Sequence, residues 1–303
     1  MHIIVYRMIK KIEDIPPSRT TAEFLATVKE VIDACWLLEE LCSLQDFTGK
    51  LFPRDGLESE KVNVRWYRGQ SGNWGLIPKV YRKKHQEREL LLEARRKAFH
   101  LEDAPQQIDD YGAWMFLMQH HGLPTRLLDW TEGCAIALFF AVEHWRSFKE
   151  NNNWDKFSPE VWVLNPHAMN WIGLGCSFLP GTAPDEAAFD GTKKVFGYGQ
   201  RNIYAAFDHT IEEHPTSIAV STTYVHVRMQ VQRSRFTVHG KDKGCIFEHF
   251  KRTNLVKKGF LFKIKIDKDK AESLVEELSD LGVSHSTLFP DLEGVAKELS
   301  EKH

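Results

Sequence analysis

Apolar residues recur at helical spacing in the segment that opens the chain. Seven of them, between residues 20 and 46, share one face of a helix with about 3.6 residues per turn. They are Phe24, Leu25, Val28, Val31, Ile32, Trp36 and Leu37. Thr20 or Thr21 supplies a hydroxyl for the N-cap, and Glu23 follows closely, as at many helix starts. The pattern therefore predicts an opening helix over residues 20–46.

The same spacing predicts further helices, and alternating runs rich in β-branched and aromatic residues predict strands. The predicted helices span residues 86–102, 109–120, 131–148, 185–190, 268–280 and 291–301, and the predicted strands span residues 62–68, 160–164, 217–222, 235–239 and 260–266. Helices are concentrated early and strands late, which favours an α+β fold over a regular alternation. We therefore expect N-terminal helices followed by a mainly antiparallel sheet.

Residues 173–200 hold many Gly, Pro and Ser residues, which is typical of a long loop. We expect an N-terminal helical segment over residues 1–58 and a domain over residues 59–303 with an insert near 173–215. With 303 residues and a hydrophobic content of 42%, the chain is long enough to bury a sizeable core. These segments are expected to form one compact unit.

Composition narrows the classes of function. A net charge of -2 does not indicate a generally basic surface for nucleic acid, although a local basic patch is compatible with it. The N-terminal apolar run is too short for a secretory signal, and no segment approaches the roughly 18 apolar residues of a membrane span. We therefore expect a cytoplasmic protein without membrane contact. The five cysteines include no C-x-x-C pair, so neither a zinc site nor a disulfide framework is indicated, and no metal is expected.

Four blocks of the sequence together resemble one known family. They are Trp66–Gln70 followed by Trp74, Leu76, Pro78 and Arg82; Gln119–Thr131; Arg228–Thr237; and Leu281–Val283 followed by Thr287–Gly294. The first contains the motif Tyr-Arg-Gly, and on these blocks the chain resembles the FRG-domain family. Ser234 stands where that family usually has glycine, and serine would be strained there if the position needs a positive φ.

The FRG-domain family is known mainly from bacteria and phages, often near mobile or defence loci. The resemblance therefore implies a toxin or a phage-defence effector. It also implies an antitoxin or another regulatory partner that restrains the activity.

Arg68 is a candidate for holding phosphate or carboxylate, because its guanidinium offers five donors in a rigid fork. It ends the predicted strand 62–68, and Gly69 leaves room for a ligand to approach the backbone. Gln70 completes the motif, and we count it with Gly69 among the cofactor-binding residues. The alternative is a structural ion pair between Arg68 and Asp129.

His120 is the second catalytic candidate, because histidine acts as a general acid or base near neutral pH and also donates to ribose hydroxyls or phosphates. The alternative is that it caps a helix end and packs against the following turn. Thr125, Arg126 and Asp129 follow the proline of that turn and are counted as cofactor-binding residues. Arg126 could pair with Asp129 or reach a ligand, and Asp129 could instead cap the next helix.

Gln232 is the third catalytic candidate, because its amide presents an acceptor and two donors to a sugar hydroxyl or a base edge. Arg68, then a Thr or His, then Gln232 follow the order of the residues that hold NAD in the ADP-ribosyltransferase fold. This analogy of fold leads to the first hypothesis. In it, the protein is an ADP-ribosyltransferase-like enzyme that uses NAD as a substrate and modifies a nucleic acid or a protein.

Two alternatives stay open. A nuclease could use His120 as an acid or base, with Arg68 and Arg126 holding phosphate. A non-enzymatic sensor could bind a nucleotide or an RNA end by stacking bases on tryptophan and tyrosine side chains. A ligand that contains phosphate is common to all three hypotheses.

Overall fold

The computed structural model describes residues 14–42, 64–82, 86–101, 104–105, 111–174, 179, 217–221, 224, 226–240, 243–252 and 261–302. The chain divides into two compact units. The first comprises Met1–Trp74, Thr131–Asn165 and Phe250–His303, and the second comprises Gly75–Trp130 and Pro166–His249.

Six strands and twelve α-helices are present among the described residues. The strands are β1 (Trp66–Gln70), β2 (Leu127–Thr131), β3 (Glu160–Leu164), β4 (Ile218–Val220), β5 (Ser234–Val238) and β6 (Leu261–Lys265). The helices are α1 (Thr21–Cys42), α2 (Lys79–Arg82), α3 (Glu87–Ala98), α4 (Tyr111–His120), α5 (Cys134–Val142), α6 (Trp145–Glu150), α7 (Pro166–Leu174), α8 (Val227–Val231), α9 (Ile246–Arg252), α10 (Ala271–Asp280), α11 (His285–Leu288) and α12 (Leu292–Lys302). Because the pairings between these strands are antiparallel, the fold is a mixed α+β fold.

In the first unit, β3 lies between β1 and β6 and pairs antiparallel with both. The register places Arg68 opposite Trp162, and Trp162 opposite Lys263. Since side chains alternate along a strand, Tyr67 and Gly69 lie on the other face of the sheet. That face contributes to a core that also contains apolar side chains of α1, α5 and α10.

Gly69 allows α5 to approach β1 closely. A Cβ built at Gly69 would collide with the backbone oxygen of Ala137 and would lie 2.6 Å from the backbone nitrogen of Ala141. Because these atoms belong to the helix backbone, a side-chain rearrangement cannot relieve the clash. The glycine of the Tyr-Arg-Gly motif therefore serves helix packing in the first unit.

In the second unit, β5 lies next to both β4 and β2. Its core contains apolar residues of α4 together with inward-facing residues of β4 and β5. The rings of Phe116 and Phe236 are in contact, with centroids 4.8 Å apart. Trp130 is 3% exposed and donates its indole N–H to Thr237 Oγ1 at 3.1 Å, which ties β2 to β5.

The N-terminal helix is confirmed at its start. The Thr20 hydroxyl accepts the Glu23 N–H at 3.1 Å, and Glu23 Oε2 accepts the Arg19 N–H at 2.7 Å. The structure thus places an N-cap oxygen and a reciprocal carboxylate where the sequence indicated them. The predicted end of this helix, at residues 43–46, lies outside the described residues, as do the predicted helix 185–190 and most of the insert near 173–215.

The region after residue 124 differs from its prediction. Residues 131–148 were predicted to form one helix, but the structure has strand β2 over Leu127–Thr131 and then the separate helices α5 and α6. Asp129 therefore lies in the middle of a strand and does not cap a helix. No strand was predicted over residues 127–130, because periodicity alone cannot distinguish a short buried strand from a buried helical segment.

Three smaller predictions also need correction. Strand β1 continues through Gln70, so Arg68 lies inside the strand and not at its end. Positive φ occurs at Arg233, at 48°, and Ser234 is the first residue of β5, so the predicted strain does not fall on the serine. Strands and helices alternate along the described chain, because β1, β2 and β3 all precede residue 165, whereas strands were expected late.

No helix among the described residues is long and apolar enough to cross a membrane.

Gly69→Ala should lower the free energy of unfolding by at least about 3 kcal/mol, because its methyl group has no space against the backbone of α5. Urea unfolding followed by circular dichroism measures this loss. Gly75→Ala is the matched control, because a Cβ there meets its nearest atom, Cδ1 of the Ile77 side chain, at 3.3 Å. Equal losses for the two variants would contradict the packing role of Gly69.

Candidate functional site

Asp129 is an exposed carboxylate on a strand whose other residues are buried. The four other residues of β2 are buried, and Asp129 alone faces outward. A charged side chain in this position costs little desolvation. Asp129 is therefore the central residue of the candidate site in the second unit.

A short chain of hydrogen bonds orients Asp129. The Thr125 hydroxyl accepts the Leu127 N–H at 3.2 Å and donates to Gln119 Oε1 at 2.6 Å. The Gln119 Nε2 amide then donates to Asp129 Oδ2 at 2.8 Å. Because every donor in this chain has an acceptor, the carboxylate is held in a defined direction. Gln119 and Thr125 thus act as positioning residues for Asp129.

Arg82 contributes a positive charge near this carboxylate. Burial lowers the pKa of Arg82, and the negative charge of Asp129 opposes that shift. The Arg82 Nε–H donates to the Ile77 carbonyl at 2.8 Å, which fixes the plane of the guanidinium. The second unit therefore contains an oriented carboxylate and an arginine whose charges interact, an arrangement that suits a ligand carrying both hydroxyl and phosphate groups.

Arg126, which the sequence analysis counted as a cofactor-binding residue, is buried and paired with Glu87. Its Nε–H donates to Glu87 Oε2 at 2.7 Å, and its backbone N–H donates to Glu87 Oε1 at 2.6 Å. The two side chains are only 3% and 6% exposed. The observed partner of Arg126 is thus the first residue of α3, and this pair joins α3 to the start of β2.

Tyr81 lies beside this ion pair. Its ring centroid is 6.0 Å from that of His239, and the Lys243 ammonium lies 5.5 Å from its ring centroid. Burial raises the pKa of Tyr81 to about 12. The positive charge of Arg126 lowers this pKa by a smaller amount, and the negative charge of Glu87 raises it slightly further. The phenol therefore stays neutral at physiological pH and cannot act as a base there.

His120 ends α4 immediately after Gln119. Its ring centroid is 4.2 Å from that of His226 and 5.0 Å from that of His121. His226 precedes α8, and its Nδ1 accepts the Arg228 N–H at 3.1 Å. His120 thus belongs to a pair of imidazoles that the sequence alone did not associate.

Gln232 follows α8 and precedes β5. It is half-buried, and its backbone N–H donates to the Arg228 carbonyl at 3.1 Å. The next residue, Arg233, has positive φ, which turns the chain into the strand. Gln232 therefore lies in a defined turn of the second unit, and its catalytic role stays a prediction.

Arg68, Gly69 and Gln70 belong to the first unit, where they take part in a polar network. The Arg68 Nε–H donates to Gln70 Oε1 at 3.3 Å, and Gln70 Nε2 donates to the Trp74 carbonyl at 2.9 Å. Gln70 is 3% exposed. Its amide is thus held by its own loop, and ligand binding by Arg68 and Gln70 stays a prediction.

Glu160 is the buried charge of that network. It accepts the Trp162 indole N–H at 2.9 Å and the Lys263 ammonium at 3.0 Å, with the Gln70 amide at 3.4 Å. Three donors from β1, β3 and β6 thus compensate one carboxylate that is itself 3% exposed. Such a group ties the three strands together on the face opposite the core.

Sequence reasoning did not identify Glu87, His226 or Glu160. One signal for Glu87 was present, because Glu87, Leu91 and Arg95 are spaced at four residues and form the buried face of α3. Charged residues within an apolar stripe indicate buried partners. No comparable local signal marks His226, whose neighbour His120 is more than a hundred residues away in the chain. Across the described parts of the chain, no group of three or more His, Cys, Asp or Glu is placed to hold a metal ion.

Residues 63–150 match the family model of the FRG domain. The resemblance inferred from the sequence is thus confirmed over this segment, which contains the first two blocks; the third and fourth blocks lie beyond it. Neither a comparison with curated proteins nor one with solved structures finds a match. The expected likeness to the ADP-ribosyltransferase fold is therefore not supported by a structural relative.

Glu87→Gln should lower the free energy of unfolding by about 3–5 kcal/mol, because it leaves the Arg126 guanidinium buried without its counter-charge. The same unfolding measurement detects this. Glu93→Gln, in an exposed pair with Lys97 on the same helix, should have no measurable effect. The double variant Glu87→Leu and Arg126→Met should recover part of the loss, because it removes both charges but leaves the Arg126 backbone N–H without its acceptor. Full stability of Glu87→Gln alone would show that the pair does not hold α3 to β2.

Tyr81→Phe should change how stability depends on alkaline pH. Between pH 10 and about 12 the unfolded chain loses the phenol proton while the folded protein keeps it, so the free energy of unfolding falls as pH rises through this window. The variant should show a shallower decline and should lack the latest step of phenolate absorbance. Tyr224→Phe, at an exposed tyrosine, should retain both features. Identical titrations of the wild type and Tyr81→Phe would refute the assignment.

Proposed function

We propose that this protein transfers ADP-ribose from NAD to a macromolecular acceptor, with Asp129 as the catalytic carboxylate. The observation that carries the proposal is the oriented, exposed Asp129, held by Gln119 and Thr125 on an otherwise buried strand. The match of residues 63–150 to the FRG domain places this carboxylate inside the matched segment.

The chemistry requires a fixed negative charge next to a ribose. When the bond between nicotinamide and ribose C1′ breaks, its electron pair leaves with nicotinamide and positive charge develops on the ribose. A preorganised carboxylate stabilises that charge in the transition state. An acceptor oxygen or nitrogen then forms the new bond to C1′, and its proton passes to Asp129 or to water.

Arg82 would hold the negative end of the same substrate. Its guanidinium lies close enough to Asp129 for the carboxylate to affect its pKa, and arginine binds phosphate oxygens through paired N–H donors. A dinucleotide presents both required groups, because its pyrophosphate and its ribose are joined by one carbon. The juxtaposition of Arg82 with Asp129 thus favours a nucleotide over a simple sugar.

Two other residues predicted from the sequence enter this proposal. Thr125 acts by fixing Gln119, and Gln232 is assigned to the ribose or the nucleobase. Arg68 lies in the first unit, and its predicted binding of phosphate is not part of this site. The acceptor would be a nucleic acid or a protein, and a toxin or phage-defence role with a restraining partner follows from the FRG resemblance.

Asp129→Asn should strongly slow transfer while preserving the fold, because the asparagine oxygen still accepts the Gln119 N–H but carries no charge. We expect a loss of about 10²–10³ in kcat for labelled NAD incubated with lysate, RNA or DNA, read as label transfer or nicotinamide release. Asp155→Asn, an exposed aspartate outside the site, should be as active as the wild type.

Three results would overturn the proposal. The first is that folded wild-type protein consumes no NAD with any acceptor, and the second is that Asp129→Asn is fully active. The third is cleavage of RNA or DNA strands without use of NAD, which would identify a nuclease. Binding of nucleotides without any turnover would identify a sensor.

A further inference from the structure

Two imidazole rings that are distant in the sequence lie in contact in the second unit. His120 ends α4, His226 precedes α8, and their ring centroids are 4.2 Å apart with the planes tilted by 41°. Both side chains are half-buried, so a small ligand in solution has access to them. Neither ring belongs to the chain of hydrogen bonds that runs from Leu127 to Asp129.

The orientation of His226 is fixed by its backbone contact. Because Nδ1 accepts the Arg228 N–H at 3.1 Å, the neutral ring carries its proton on Nε2. Nε2 is therefore a hydrogen-bond donor that cannot turn toward the helix backbone without losing the existing bond. A donor held in this way is suited to an oxygen acceptor outside the protein.

Two adjacent imidazoles favour an anion as that acceptor. An N–H donor forms a stronger hydrogen bond to an ionised oxygen than to a neutral one, so the Nε2–H of His226 beside the His120 ring favours an anionic acceptor. His120 also directly follows Gln119, whose amide holds Asp129. An anion at the histidine pair would thus bind on the same helix end as the proposed nucleotide site.

We propose that His120 and His226 form a phosphate-binding subsite for the nucleotide ligand, with His226 donating through Nε2. This inference rests on the proposed function for the identity of the ligand, but phosphate binding itself can be tested without transfer. The alternative hypothesis is that both histidines have purely structural roles. In that case His226 only caps α8, and His120 only packs against the His226 ring.

His226→Asn separates these two roles. Asparagine is among the best N-cap residues, so its oxygen replaces Nδ1 as the acceptor for the Arg228 N–H while the Nε2 donor is removed. His120→Asn removes the second ring. His121→Asn is the matched control, because it changes the neighbouring exposed histidine, whose ring meets that of His120 edge-on.

The measurement is titration calorimetry of the full chain with adenosine, AMP and ADP-ribose. We expect AMP and ADP-ribose to bind roughly tenfold to hundredfold more weakly to His226→Asn and His120→Asn, because a hydrogen bond to a charged group is lost. Adenosine, which has no phosphate, should bind all variants alike. His121→Asn should bind all three ligands within about twofold of the wild type.

Several outcomes would overturn the subsite. One is that both His226→Asn and His120→Asn bind ADP-ribose as tightly as the wild type. An equal loss of adenosine and AMP binding would do so too, because it would indicate a general change of structure. Absence of AMP and ADP-ribose binding by the wild type would also exclude the subsite.

The subsite and the transfer reaction fail in different ways. Asp129→Asn should lose transfer, whereas His226→Asn should raise the KM for NAD. If NAD is consumed with the same KM by His226→Asn, the subsite is refuted and transfer stands. If ADP-ribose binding depends on His226 but NAD is never consumed, the subsite stands and transfer is refuted.

Discussion

The second unit depends on neutralising one buried carboxylate. Glu87 accepts both the backbone N–H and the side-chain Nε–H of Arg126, the residue that immediately precedes β2. The Arg126 carbonyl in turn accepts the His239 N–H at 3.1 Å, just after β5. Since a buried charge is tolerated only with a close counter-charge and satisfied hydrogen bonds, this pair determines where α3 and β5 meet the start of β2. The position of Asp129, three residues further on, follows from it.

The first unit depends on a steric constraint instead. Gly69 has no Cβ, and for that reason α5 can lie with its backbone against β1. On the opposite face of the same strand, Arg68 and Gln70 take part in the network that compensates Glu160. The three residues of the Arg-Gly-Gln motif thus divide between two tasks, because successive side chains of a strand point to opposite faces. A motif that resembles a ligand-binding signature thus also holds α5 against β1 and helps to compensate the buried Glu160.

Much of the secondary structure could be predicted because its signals are local. Helix α1 and its N-cap, and the strands β3, β5 and β6, follow from spacing and composition within a few residues. Strand β2 could not be predicted, because Leu127–Thr131 is a short apolar run followed by another apolar segment. Among the candidate site residues, His120, Thr125 and Asp129 were identified from one motif. The hydrogen bond from the Gln119 amide to Asp129, however, forms only because the fold brings β2 next to α4. Glu87 and His226 were missed for the same reason.

The sequence by itself determined the α+β class, the FRG resemblance over residues 63–150 and the identity of the polar residues near the Pro124 turn. Only the tertiary structure decided what each of those residues does. It buried Arg126 against Glu87, exposed Asp129 on a buried strand and brought His226 to His120. The physical reason is that hydrophobic periodicity and capping act over a few residues, whereas the pairing of charges and rings depends on which distant segments the core brings together.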